Sequence, residues 1–191
     1  MHKGRLEAFS DGVLAIILTI MVLELKVPHV PTVAGLLTVW PVFLSYVLSF
    51  IYVGIYWNNH HHLLQASQQV SGGVLWANLH MLFWLSLIPF VTAWMGENHF
   101  AAVPVAAYGG VLFMAALAYR FLVKALLHVH GTDSSLAKAI GHDGKGTISL
   151  LCYALGIALA LWVNAPLGGA LFVLVALLWL MPDQRIERQL R

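Results

Sequence analysis

The chain is written in apolar stretches of about twenty residues, separated by short polar punctuation. A helix that crosses a bilayer needs about 20 mostly apolar residues, and six segments qualify: roughly 6–27, 36–59, 72–95, 101–127, 147–164 and 167–182. Only the link from His128 to Gly146 is long and polar. Gly131, Gly141, Gly144 and Gly146 make it a loop. The first segment carries Ser10, Asp11 and Glu24, and no small-residue cleavage site follows it, so it reads as a span and not as a signal peptide. Pro41 and Pro89 fall inside apolar runs and predict kinks in the second and third spans. No second domain or internal repeat is visible. Residues 1–191 read as one six-helix membrane domain.

Composition sharpens this. Of the 191 residues, 60% are hydrophobic and 9% charged, with a mean hydropathy of +0.82. A soluble domain carries roughly 25% charged residues, so this chain cannot clothe a water-facing surface. A cytosolic enzyme, a disordered protein and a nucleic-acid reader are excluded. The formal charge of +2 is too small for a phosphate-binding footprint. A single cysteine, Cys152, rules out a disulfide framework or a thiolate metal cluster.

Basic residues orient the spans. Lys3 and Arg5 precede the first; Arg120, Lys124, Lys138 and Lys145 surround the long loop; Arg185, Arg188 and Arg191 close the chain. With both termini cytoplasmic, Lys26 alone of the ten basic residues lies outside. Tryptophans agree, with Trp40, Trp94 and Trp162 at outer ends and Trp57, Trp76 and Trp179 at inner ends. Only Trp84 falls mid-span.

An ionised group inside a bilayer costs roughly 2.5–3.5 kcal/mol and needs a partner, a cavity or a purpose. Asp11 is such a group. Projecting the first span at 100° per residue with Asp11 at 0° puts Thr19 near about 80°, Gly12 near about 100°, Leu23 near about 120°, Ile16 near about 140° and Ile20 near about 180°. Ser10, near about 260°, and Glu7, near about 320°, lie off this stripe. An apolar stripe suits a lipid contact as well as a specialised face, and the projection leaves both open. The Asp11 side must meet protein or water. Asn78 and His80 on the third span share its depth and can donate to a carboxylate; Ser149 and Tyr153 lie comparably deep. On the second span Ser45, Ser49, Tyr52, Tyr56 and Asn59 form one polar stripe, expected to hydrogen-bond between helices.

Other chemistry fails on spacing. His60, His61 and His62 are consecutive, so in a helix they radiate and cannot ligate one ion; they read as a helix end. Gly141 to Gly146 lacks the phosphate-loop spacing. No nucleophile elbow, periodic arginine helix or Thr-Val-Gly-Tyr-Gly filter exists, and Cys152 lies in an apolar helix. Neither catalysis, a cofactor nor a resident metal is expected.

One stretch is more specific. Arg5-Leu-Glu-Ala-Phe9-Ser10-Asp11-Gly12 through Ala15, Ile16 and Thr19 to Leu23-Glu24 closely resembles the signature of the prokaryotic branch of the transmembrane protein 175 family, the endosomal and lysosomal potassium channels. Leu85-Ser86-Leu87-Ile88-Pro89-Phe90 through Gly96-Glu97 is similar as well. The resemblance implies a homotetramer whose central pore is lined by the first helix, in the inner cell membrane of a prokaryote, passing potassium ions. It implies that Ile16 is the constriction, with Ile20 and Leu23 as further apolar rings and Thr19 as a ring that sets cation preference. It also implies that Arg5, Phe9, Ser10 and Asp11 form a packing network away from the pore, to which Asn78 and His80 are added here as partners. The expected activity is a leak-like current of modest selectivity. The alternative is a proton-coupled transporter or proton-conducting channel using Asp11 and His80.

Overall fold

The computed structural model describes residues 3–131, 134, 136, 137 and 143–180. Its elements are all helical: α1 (Lys3–Leu23), α2 (Val33–Thr38), α3 (Trp40–Gln65), α4 (Gly72–Ser86), α5 (Ile88–Glu97), α6 (Ala102–His130), α7 (Gly144–Trp162) and α8 (Ala165–Leu180). Five helices are long and apolar enough to cross a membrane, α4 and α5 together making one of them, while α8 is shorter. The expected last span ran to residue 182. Residues 181 and 182, the basic residues Arg185, Arg188 and Arg191, and Lys138 lie outside the described residues.

Local chemistry moves several expected boundaries. α1 ends at Leu23 and not near residue 27; Pro28 accounts only for Val27, which it biases away from helical backbone. The second span begins at Trp40, later than expected. Thr32 caps a separate short helix by accepting from the Gly35 amide at 3.2 Å. Pro41 then occupies the first turn of α3, where its missing N–H costs nothing. It starts a helix; it does not kink one. Pro89 does interrupt the third span, since it cannot donate to the turn before it. The break is slight, because Leu87 keeps helical torsions of φ −86° and ψ −11°. α3 continues through His60–His62 to Gln65, and α6 runs on to His130 before Gly131 leaves the helix at φ +83°.

α6 is the central post, packed most extensively on α7 and α4. Beside it α7 and α8 form a tight hairpin through Val163 and Asn164. The fully buried Phe172 fills the gap that Gly109 and Gly156 leave open, and Gly168 lets the α8 backbone approach Gly156 and Ala160. The expected polar stripe on α3 bonds between helices in part, through Ser49 and Tyr52, while the side chains of Ser45 and Asn59 donate to the Val42 and Ile55 carbonyls of their own helix. Ser49 Oγ meets Thr92 Oγ1 at 2.6 Å and Tyr108 OH at 3.0 Å, and Tyr52 OH donates to the Phe172 carbonyl at 2.5 Å. Tyr119 OH donates to the Asn59 carbonyl. α1 lies at the edge of this bundle and touches α3, α4 and α5 by one face only.

The hairpin yields a clean test. A Cβ at Gly168 would press on the Gly156 carbonyl oxygen and on Ala160, whereas one at Gly169 meets nothing within 4 Å. Gly168→Ala is expected to destabilise by roughly 1–3 kcal/mol, because backbone cannot step aside. Gly169→Ala is expected to shift the melting midpoint of the purified protein far less. Equal shifts would remove the close approach.

Candidate functional site

Anchoring of α1 decides what its bare face can do. Leu6, Ser10, Leu14, Ile17 and Met21 recur every three to four residues and are all buried, one inward stripe at helical period. The opposite side is open. Ile16 is 58% exposed, Ile20 43% and Leu23 80%, and Gly12 and Thr19 are exposed with them. The stripe seen in projection is therefore a real, uncovered face. Thr19 Oγ1 donates to the Ile16 carbonyl at 2.9 Å, which fixes its hydroxyl and leaves the oxygen's lone pairs free. Between this face and α5 runs an open groove of about 630 Å³, walled by Ile16, Ile20, Phe90 and Trp94 with Glu24 and Glu97 at the end away from the N-terminus of α1.

Four attachments hold the inward face. Lys3 Nζ donates to the carbonyls of Leu64, Gln65 and Ser67 at 3.1–3.3 Å and closes the C-terminus of α3. Cations suit that end because last-turn carbonyls are unpaired. Glu7 pairs with His61 at 3.1 Å. Deeper in, a buried chain carries one direction of donation. Ser10 Oγ donates to Leu6 O, Asn78 Nδ2 donates to Ser10 Oγ at 3.0 Å, and Asn78 Oδ1 accepts from His60 Nε2 at 2.8 Å. Since an amide oxygen can only accept, His60 carries its proton on Nε2. Its Nδ1 is buried without a partner among the described residues. Beyond the C-terminal end of α1, Lys26 pairs with Glu97 at 2.5 Å, and that hydrogen bond raises the ammonium above the usual lysine range.

These contacts revise the expected network. Ser10 and Asn78 do come together. Asp11 meets neither Asn78 nor His80; its Oδ1 accepts from Trp57 Nε1 at 3.0 Å at an exposed site. The reason is angular, because Asp11 lies on the flank between the buried and bare stripes, beside α3 and away from α4. His80 turns elsewhere, with Nε2 accepting from Trp84 Nε1 at 3.0 Å and the ring stacked on Phe121. Asp11 and His80 thus form no relay among the described residues. Phe9 is 53% exposed and Arg5 is exposed. Their projected positions, about 160° and about 120°, coincide with the Ile16 stripe and not with the inward one. Ser149 accepts from Trp179 Nε1 at 2.8 Å and Tyr153 rings Phe172, so neither reaches Asp11.

His60 was the residue the spacing analysis passed over. Considered as a metal-site candidate it fails, and no group of three potential ligands exists among the described residues. Its signal lay in the α3 polar stripe. Ser45, Ser49, Tyr52 and Tyr56 step by four and three, and the next step of four is His60. Trp57 gave no signal beyond interfacial placement.

Residues 5–89 match the sequence model of the family described as endosomal/lysosomal potassium channel TMEM175. The chain is 56% identical over 191 residues to potassium channel HX13_20290 of Chryseobacterium sp. strain P1-3, covering 100% of this chain and 99% of that one. It belongs to the TMEM175 family. Potassium channel B446_29190 of Streptomyces collinus is 33% identical over 187 residues, covering 92% of this chain and 90% of the relative. Among solved structures, the crystal structure of a lysosomal potassium-selective channel TMEM175 homolog from Chamaesiphon minutus superposes with a TM-score of 0.77. That match has 30% identity and covers 93% of this chain and 97% of the other. The residues that match the family model run from the pinned helix α1 to the start of α5.

The pinning makes a ranked prediction. Asn78→Ala strands a buried hydroxyl and a buried imidazole, and is expected to cost roughly 2–3 kcal/mol. Asp11→Ala removes one bond at an exposed site and is expected to cost about 1 kcal/mol or less. Thermal melts followed by size-exclusion chromatography check the order. The reverse order would return the structural role to Asp11.

Proposed function

We propose that this protein is a passive, potassium-preferring cation channel, a homotetramer of six-helix subunits with both termini cytoplasmic, in the cell membrane of a prokaryote. The central pore is lined by α1. One observation carries the reading: α1 is held on one side by directional hydrogen bonds, while its other side leaves Gly12, Ile16, Ile20 and Leu23 uncovered. A helix meant only for lipid does not need Lys3, Ser10 and Asp11 each to fix its rotation. The relatives named potassium channels supply the ion.

On this reading four Ile16 side chains meet at the axis and form the constriction. Methyl groups offer no ligands, so water there loses hydrogen bonds and leaves, and a hydrated cation faces a barrier until the ring widens. Ile20 and Leu23 extend the apolar passage outward. The Thr19 oxygens, oriented by their back-bond to Ile16, are the nearest ligands a partly dehydrated ion meets. A single short filter discriminates less sharply than stacked carbonyl rings, hence a leak-like current of modest selectivity.

Planar-bilayer current under a potassium gradient, without a pH gradient, is the direct test; silence would remove the channel reading. Ile16→Asn, nearly equal in volume but able to hold water, is expected to raise resting current and bring sodium permeation closer to potassium. Thr19→Ala is expected to weaken potassium preference with less change in resting current. Unchanged conductance and selectivity in Ile16→Asn would assign α1 to lipid.

Orientation is checked separately in a Cys152→Ser background. A cysteine replacing Glu97 is expected to react with an impermeant thiol reagent from outside, and one replacing Lys124 only from inside. Reversed labelling would invert the topology.

A further inference from the structure

Beyond the anchors of α1 stands a histidine that grips backbone. His130, the last residue of α6, has Nδ1 at 2.8 Å from the Leu126 carbonyl and Nε2 at 2.9 and 3.2 Å from the amide nitrogens of Gln68 and Gln69. A carbonyl only accepts and an amide N–H only donates, so a single form satisfies both ends. The ring is neutral, protonated on Nδ1, with the Nε2 lone pair shared by two N–H groups. Protonating Nε2 turns that acceptor into a donor facing two donors. The clasp cannot survive it.

What the clasp holds is the socket of α1. Gln68 and Gln69 follow Ser67, and Lys3 Nζ is seated on the carbonyls of Leu64, Gln65 and Ser67. Residues 64–69 are thus gripped from α1 by an ammonium and from α6 by an imidazole. The titratable or charged groups on the segments meeting here are Lys3, Arg5 and Glu7 of α1, His61 and His62 in the last turns of α3, and Lys124 and His128 of α6. Residues 66–71 and the first turn of α4 carry none. The carboxylate on the first turns of α1, Glu7, is already paired with His61 and so is not free to recapture a charged ring in the same place.

We propose that His130 is an acid-sensitive latch on the first helix: its neutral imidazole locks residues 64–69 as the seat of Lys3, and protonation from the Lys3 side of the membrane releases that seat. Histidine changes charge between about pH 5 and pH 8, so the latch works in the range an acidifying cytoplasm reaches. Releasing the seat frees the inner end of α1 and raises current on acidification at that side.

Two readouts on the full chain separate the latch from the channel reading on which its electrical consequence rests. The first is amide hydrogen exchange of Gln68 and Gln69, corrected for intrinsic rates, at about pH 7.5 and about pH 5.5. Wild type is expected to lose protection roughly threefold to tenfold at the lower pH, the scale of one hydrogen bond. His130→Gln, whose amide oxygen accepts without titrating, is expected to keep its protection at both, and His130→Ala to lack it at both. The second is potassium current with pH varied only on the Lys3 side. Wild-type current is expected to rise on acidification and His130→Gln current to stay level. Wild-type protection independent of pH, or a pH response in His130→Gln equal to wild type, would overturn the latch. Exchange that responds while current does not would overturn the coupling to α1. Absence of current in every variant would sink the channel reading, and the exchange result would still judge the latch.

Discussion

The arrangement depends on one buried chain of hydrogen bonds, Ser10 to Asn78 to His60. Within a bilayer no water rescues a polar group that loses its partner, so a satisfied chain specifies geometry more firmly than apolar packing can. Apolar packing alone would let a leucine- and isoleucine-rich helix rotate by one residue at small cost. Moving Ser10 out of register with Asn78 would leave the buried Asn78 amide nitrogen without its acceptor. The rotation of α1, and with it the direction Ile16 faces, is set by chemistry on the other side of the helix. Lys3 and Lys26 add a fixed point at each end.

A pinned helix needs a rigid surface to be pinned against, and that comes from the opposite half of the subunit. Gly109, Gly156 and Gly168 let α6, α7 and α8 close around Phe172, and Tyr52 ties α3 to α8 through the Phe172 carbonyl. Ser49, Thr92 and Tyr108 join α3, α5 and α6. The helices that receive α1 are thereby bound to each other before α1 docks. Small residues serve this where lipid offers no hydrophobic drive between helices.

Much of this was legible in the sequence, and the failures have physical reasons. Span positions followed from hydropathy because a bilayer punishes any other pattern. Boundaries failed where proline and capping chemistry intervened, as at Pro41, which hydropathy registers only as an interruption. The bare Gly12–Ile16–Leu23 face followed from helical period alone. The partners of Asp11 did not. Equal depth suggests proximity, but depth fixes only one coordinate, and the angle about the axis of α4 sends Asn78 to Ser10 and His80 to Trp84. His60 was hidden by its neighbours: a run of three histidines invites a metal question, and the answer, no, obscured the separate fact that one of the three continues the α3 stripe. Phe9 and Arg5 share the exposed side because Phe9 stands seven positions before Ile16 and Arg5 seven before Gly12, and two helical turns return to nearly the same angle.

That last geometry bears on why the signature is one motif and not two. Ser10 and Asp11 face the bundle or its flank, while Arg5 and Phe9 lie in line with Ile16, so adjacent letters serve opposite sides of the helix. Helical pitch makes this unavoidable, since a helix that must be gripped on one face and present another alternates the two duties every one or two residues. The apolar ring proposed at Ile16 works only if four copies approach the axis at the same angle, because a dewetted gap is sensitive to a fraction of a methyl diameter. A rotational error that a soluble core would absorb by repacking would there open or close a passage. Directional hydrogen bonds, which tolerate little angular error, are the interactions suited to hold such a face. Their concentration on α1 fits the role proposed for its bare face.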